Sequence, residues 1–233
     1  MRTPAALGVV AFWGGLWLAM RRYPSEFDWR YMTISSLVYP DRDPNGYQWA
    51  WGGIVLCALG GLCWTTLLLR GRRRARPEAR AAGIRMLGLG YVCMVCCALL
   101  PDRLLPIAKG HETLAIAAFV CISIGTVRLA FGTARRSMRL RGRDLPGSAR
   151  VYAGLLAGTA LLPILLGGII QSYVDFARPD LPWVGLEWRA RAVPVYLSFA
   201  FWEWSSCAVL SAYTALLCAV GISGLQATRY GFT

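Results

Sequence analysis

The chain has 233 residues, of which 56% are apolar and ten are Trp, and its mean hydropathy is +0.46. This composition excludes an ordinary soluble domain and indicates an integral membrane protein. The formal net charge is +13, but the arginine-rich runs lie directly beside apolar segments. Because no nucleic-acid-binding module accompanies those runs, we expect no nucleic-acid partner.

Six apolar segments follow one another along the chain, and each approaches or exceeds the roughly 20 residues that a helix needs to cross a bilayer. They cover residues 5–20, 49–69, 81–100, 112–133, 152–173 and 193–225. Little chain remains for a soluble domain. We therefore predict one all-α domain, residues 1–233, built as an integral membrane bundle of six transmembrane helices. The first segment could instead be a cleaved signal peptide, but Arg21 and Arg22 follow it without a small-residue cleavage site, which favours its retention.

The arginines predict the orientation, because cytoplasmic loops carry the excess of Lys and Arg. The second and fourth loops, with Arg2 and Arg229, hold fifteen basic residues and two acids, whereas the other three loops hold nine of each. Both termini are therefore predicted in the cytoplasm. Residues 21–48, 101–111 and 174–192 become the outer loops.

Cysteine and histidine usage limits the cofactors that the chain can hold. All eight cysteines lie in predicted spans, so no disulfide framework is expected. Cys93, Cys96 and Cys97 share one helix face and are expected to act in packing. His111 is the single histidine, which excludes bis-histidine haem ligation and di-iron centres within one chain. We expect no cofactor.

The first outer loop contains half of a calcium-binding pattern. Asp41, Asp43 and Asn45 alternate before a glycine, as in the first half of a calcium loop. The twelfth position should be a bidentate Glu, but it falls on Gly52 inside the second span. We therefore expect a turn that returns the chain to the membrane, and a calcium site with these three ligands is the weaker alternative.

Glu203 is the acid that lies within a predicted span. An ionisable group there is costly and usually has a partner inside the bundle. Helical spacing puts it on one stripe of the last span, made of Tyr196, Glu203, Ser206 and Tyr213. The expected partner is His111 or an outer arginine such as Arg30 or Arg103. The carboxyl is either functional or an inter-helix hydrogen bond that fixes packing.

Two alternatives also remain open for His111, which opens the fourth span beside Glu112. It is either half of a polar pair at the helix terminus or an imidazole that handles protons or binds a ligand. The aromatic outer loops are expected to fold onto the end of the bundle and to roof a cavity there. The candidate pocket comprises Asp28, Arg30, Ser35, Asp102, Arg103, His111, Glu112, Glu203 and Ser206.

Two stretches, Thr33–Gly61 and Leu87–Val120, resemble the bacterial membrane family named domain of unknown function 998. The matching features are Ile34-Ser35-x-Leu37, Pro101 at the end of the third span, and His111 with Phe119 eight residues later. Val38 stands where we would expect a glycine. The resemblance covers the first four spans, and the last two match by hydropathy.

That family is similar in plan to the six-span DRAM (damage-regulated autophagy modulator) group. The resemblance implies a bacterial inner membrane, and it gives more weight to Asp28, Ser35 and His111 as a shared outer feature. It implies no particular activity.

Two hypotheses about function follow. The first is a membrane protein without enzymatic activity whose outer pocket binds a lipid or a partner subunit, which could be a second copy of the chain. The second is an enzyme of lipid modification or a proton-coupled carrier that uses Asp28, His111 and Glu203. Convergence of these three groups on a cavity would favour the second hypothesis, and separate pairing would favour the first.

Overall fold

The computed structural model describes residues 3–70, 78–99, 110–140, 147–177 and 185–229, and no strand occurs among them. The helices are α1 (Thr3–Arg22), α2 (Ser35–Val38), α3 (Tyr47–Arg70), α4 (Glu78–Leu99), α5 (Gly110–Leu140), α6 (Gly147–Ala177), α7 (Leu186–Ala190) and α8 (Phe199–Arg229). A 3-10 helix, Val195–Leu197, precedes α8. The predicted all-α class is confirmed.

A long helix lies at each of the six predicted positions. In the described part of the chain, three of these helices are long and apolar enough to cross a membrane, over Pro4–Arg22, Tyr47–Arg70 and Ala81–Leu99. Two shorter apolar stretches, Thr113–Leu129 and Leu161–Ala177, lie within α5 and α6. The chain therefore has the helical and apolar character of a membrane protein.

The last long helix begins later than predicted. We expected it from residue 193, but α8 begins at Phe199. Pro194 and the 3-10 helix after it occupy the interval. Tyr196 lies in that 3-10 helix, so its predicted place on one stripe with Glu203 is wrong. Apolar residues continue on both sides of Pro194, so hydropathy does not mark a boundary there. Proline has no backbone N–H to donate to a helix, and α8 begins only after it.

Glycines set the distance between α1 and α3, one of the two most extensive helix contacts in the described bundle. A Cβ added to Gly15 would clash with the carbonyl oxygen of Trp49 and lie 2.9 Å from Cα of Gly53. A Cβ on Gly53 would lie 2.7 Å from the carbonyl oxygen of Ala11. The two backbones can approach this closely only because both sides lack a side chain.

At one end of the bundle, two connections between helices cover the helix ends. The connection between α1 and α3 (residues 23–46, including α2) and the described connection before α8 (residues 185–198, including α7) both lie there. We call this the capped end. Trp51 at the start of α3 donates a hydrogen bond from Nε1 to the carbonyl oxygen of Ala98 at the end of α4, 2.8 Å away. This bond places the start of α3 and the end of α4 at the same end.

Replacing Gly15 by Ala should destabilise the protein by about 1 to 3 kcal/mol, because the new methyl group forces α1 away from α3. Gly14→Ala is the matched control, since a Cβ there meets nothing within 4 Å. The control should be neutral or slightly stabilising, as alanine favours helix. The free energy of unfolding, measured by SDS titration of detergent-solubilised protein, tests this. Equal effects of the two substitutions would show that the glycine contact does not set the helix spacing.

Candidate functional site at the capped end

Glu203 and Trp204 of α8 bind the backbone of the α1–α3 connection. Oε2 of Glu203 accepts a hydrogen bond from the N–H of Ile34 at 2.9 Å. The neighbouring Trp204 donates from Nε1 to the carbonyl oxygen of Met32, also at 2.9 Å. We call these four residues the latch. They give two buried backbone groups a partner and hold the connection on the end of α8.

The latch closes over an apolar cluster. Leu37 of α2 is fully buried, and Ile34 is nearly so. Both pack with Phe12 and Leu16 of α1 and with Trp204. The edge of the Phe27 ring lies against Trp204, with 6.0 Å between the ring centroids. The aromatic and aliphatic side chains of the connection therefore form part of the core.

Ser35 belongs to a small hydroxyl cluster at the start of α2. Thr33 Oγ1 lies 2.7 Å from Oγ of Ser35 and 3.1 Å from Oγ of Ser36. The N–H of Ser36 also donates to the carbonyl oxygen of Thr33. These bonds satisfy polar groups at a helix start, which is a structural role.

The partner of Glu203 differs from the expected ones. Its carboxylate binds the amide of Ile34 rather than His111 or Arg30, and Arg103 lies outside the described residues. Ser206, one turn further along α8, donates to the carbonyl oxygen of Trp202 at 2.7 Å. A backbone donor supplied by a residue 169 positions away has no signature in the sequence around Glu203.

Asp28 is a buried carboxylate held by arginine. Nε and Nη2 of Arg30 donate to its two oxygens, each at 2.8 Å. The backbone N–H of Arg30 donates to Oδ1 at 3.1 Å. Arg189 of α7 lies 3.6 Å from Asp28 and donates to Glu26 at 2.9 Å. The Arg30 hydrogen bonds hold the pKa of Asp28 below its usual value, against the opposing effect of burial.

The two connections at the capped end also meet through apolar contacts. Tyr31 donates from its hydroxyl to the carbonyl oxygen of Val193, 2.7 Å away. Around this bond, Tyr31 packs with Trp188 of α7, Val174 of α6 and Ala200 of α8. Residues far apart in sequence therefore form one folded layer over the helix ends.

His111 lies at the start of α5 and contacts Cys97 of α4. The Cys97 sulfur is 3.4 Å from Nδ1 and 3.7 Å from Nε2, and the ring of Tyr39 lies 5.5 Å from the imidazole. Asp28, His111 and Glu203 thus have different partners. Of the other predicted pocket residues, Asp102 lies outside the described residues, as does the side chain of Glu112.

The alternating Asp41, Asp43 and Asn45 do not converge. Asp43 is fully buried, whereas the other two are exposed. Among the residues described, no group of three or more His, Cys, Asp or Glu could hold a metal ion. The predicted turn is present, and the three side chains are divided between the interior and the surface.

Asp43 instead caps the turn that leads into α3. Oδ1 accepts the N–H of Gly46 at 2.9 Å, and its carbonyl oxygen accepts the N–H of Tyr47 at 3.0 Å. This is the bonding pattern of an N-terminal cap, a role in which Asp is favoured. A Cβ at Gly46 would lie 2.8 Å from the carbonyl oxygen of Ala19, so glycine is required there. Burial raises the pKa of Asp43, and the Gly46 hydrogen bond partly opposes that shift.

A groove beside the folded layer was missed by the sequence analysis. It has a volume of about 200 Å³ and opens between the end of α6 and the connection before α8. Its lining consists of Tyr173, Val174, Arg191, Ala192, Val193, Pro194 and Leu197. Ala192 has a φ of 54°, a backbone conformation that alanine rarely adopts. No motif in the sequence marks this turn or the groove behind it.

Comparisons with known proteins return no match. No protein-family model matches the chain, and neither a curated protein nor a solved structure does.

Asp28→Asn should lower the free energy of unfolding by about 1 to 3 kcal/mol at neutral pH, because it breaks charged hydrogen bonds to Arg30. The pKa of Asp28 is depressed in the folded state. The stabilisation that Asp28 contributes is thus complete above the pKa that this carboxyl has in the unfolded chain. It is lost as the pH falls through the pKa of Asp28 in the folded protein. Unfolding titrations from pH 7 to pH 3 should show the two proteins converging in acid.

Glu26→Gln is the control for this experiment. Glu26 lies in the same connection as Asp28 and pairs with Arg189, but its side chain is 74% exposed. Removing the charge of Glu26 should therefore have little effect on stability at any pH. The opposite result is that the wild type and Asp28→Asn keep the same difference in stability down to pH 3. That result would contradict a stabilising role for the charge of Asp28.

Proposed function

We propose that the chain is a six-span protein of a bacterial inner membrane with both termini in the cytoplasm, and that its outer face binds lipid. The described helices at all six predicted positions support the span count. Three of these helices meet the length and hydropathy of a membrane span. The excess of arginine in the second and fourth loops supports the orientation, which makes the capped end the outer end.

The groove at the end of α6 is the observation that carries the binding proposal. Most of its lining residues have apolar side chains, Arg191 adds one guanidinium group, and the surface that they expose to the groove is divided about equally between polar and apolar atoms. Tyr173 and Phe176 at the end of α6 are 54% and 92% exposed, which is typical of side chains at a membrane interface. At about 200 Å³ the groove is smaller than the roughly 300 to 1,000 Å³ of sites that enclose a whole small molecule. It suits part of a lipid molecule.

The separate pairing of the candidate acid–base groups favours binding over chemistry. Asp28 forms an ion pair with Arg30, and Glu203 accepts a hydrogen bond from a backbone amide. His111 contacts Cys97 rather than either carboxylate. A proton-transfer mechanism needs such groups within hydrogen-bond reach of one reacting atom. We therefore rank the enzyme or carrier hypothesis second, and the resemblance to the domain of unknown function 998 stays a prediction.

Asn45→Cys tests the orientation. Asn45 is exposed in the turn before α3, so a membrane-impermeant maleimide should label the variant in intact cells. Arg70→Cys, at the other end of α3 and also exposed, should be labelled only after the cells are opened. The unmodified chain gives the background from its own cysteines. The reverse pattern would overturn the proposed orientation.

Leu197→Trp tests the groove, because the larger ring should fill the space beside Val193. Lipid that copurifies in mild detergent, quantified by mass spectrometry per mole of protein, should fall in this variant. Tyr196→Trp is the matched control, since Tyr196 is 62% exposed and does not line the groove. Unchanged lipid in both variants would contradict lipid binding there. Loss of a copurifying polypeptide instead would identify a partner subunit as the occupant.

A further inference from the structure

Three arginines at the capped end lie over aromatic rings. The guanidinium carbon of Arg22 is 4.9 Å from the ring centroid of Trp49, and that of Arg21 is 5.5 Å from Trp17. Arg42 lies 5.8 Å from the ring of Tyr39. Stacking occupies the face of a guanidinium and leaves its N–H edge available to an acceptor.

These arginines have no acidic partner in the part of the chain that the structure describes. Most of the nearby acids are paired or buried, and Asp41 is exposed in the turn before α3. Asp28 and Glu26 pair with Arg30 and Arg189, and Asp43 is fully buried. The three arginines therefore group positive charge near the end of α1 and the start of α3, whereas Arg30 and Arg189 are paired with acids.

We propose that Arg21 and Arg22 bind the phosphate of an anionic phospholipid in the outer leaflet. Both residues end α1 and are exposed, and Trp17 and Trp49 beside them are 54% and 44% exposed. Tryptophan prefers the headgroup level of a bilayer, which puts the guanidinium groups at the depth of lipid phosphates. Two arginine forks suit phosphate oxygens in geometry and charge. The inference rests on the proposed orientation and concerns a site separate from the groove.

The surface of α1 below the arginines provides a path for an acyl chain. Leu7, Val10, Gly14 and Trp17 recur every three or four residues on the face that leads to Arg21. Leu7 and Val10 are 62% and 69% exposed. A Cβ on Gly14 would meet nothing within 4 Å, so the glycine leaves a shallow notch one turn below Trp17. Apolar surface thus runs continuously from the arginines into the bilayer.

A purely local role for the arginines makes a different prediction. Cations in the last turn of a helix stabilise it through the helix dipole. In that case, replacing them would change the stability of the protein without changing which lipid it retains. The experiment therefore measures lipid selectivity and stability in the same variants.

The test is native mass spectrometry of the full chain titrated with phosphatidylglycerol or with phosphatidylcholine. We expect tighter binding of phosphatidylglycerol by the wild type. Arg21→Gln with Arg22→Gln should weaken that binding about 30-fold, from about 1 kcal/mol for each arginine at an anionic surface. Arg70→Gln with Arg85→Gln makes the same charge change at exposed positions toward the other end and should retain the selectivity.

Two further measurements keep the result interpretable. Gly14→Phe should weaken phosphatidylglycerol binding while leaving stability intact, as it fills only the notch. Millimolar inorganic phosphate should not displace the lipid. Equal binding of the two lipids, equal loss in both double variants, or displacement by free phosphate would each overturn the proposal. Failure here with correct labelling of Asn45→Cys would leave the proposed orientation standing.

Discussion

The capped end depends on one hydrogen bond, from the backbone N–H of Ile34 to the carboxylate of Glu203. A buried carboxylate and a buried amide are each unfavourable without a partner. Each supplies the hydrogen-bond partner that the other lacks. Beside this bond, Trp204 donates a second hydrogen bond to the carbonyl oxygen of Met32. Because the bonds go to backbone, the latch fixes the path of the chain and brings Ile34 and Leu37 into the core.

The helix packing below determines where the latch can form. The glycine contacts between α1 and α3 bring the two ends of the α1–α3 connection together. The connection must then turn over the end of the bundle, where α8 presents Glu203 and Trp204. Tyr31 and Asp28 extend the contact to the segment around α7. Packing of small residues inside the bundle thus leads to a folded layer of chain at its end.

Hydropathy was sufficient to locate the long helices, because each of them contains a long run of apolar residues. It failed at the start of α8, where apolar residues continue through Pro194 and the 3-10 helix. Local spacing predicted the turn before α3 but not the capping role of Asp43. The partner of Glu203 could not be predicted, since it is a backbone group brought near by the whole fold. The groove at Ala192 likewise depends on a turn without a sequence signature.

Hydrogen–deuterium exchange across residues 28–38 tests the latch most directly. The account predicts slow exchange of these amides in the intact protein. Glu203→Met, which leaves the Ile34 amide without an acceptor, should speed exchange of this segment about tenfold or more, while the contact between α1 and α3 stays protected. Glu203→Gln keeps an acceptor oxygen and should lie close to the wild type. Exchange in Glu203→Met that matched the wild type would contradict the central role of this hydrogen bond.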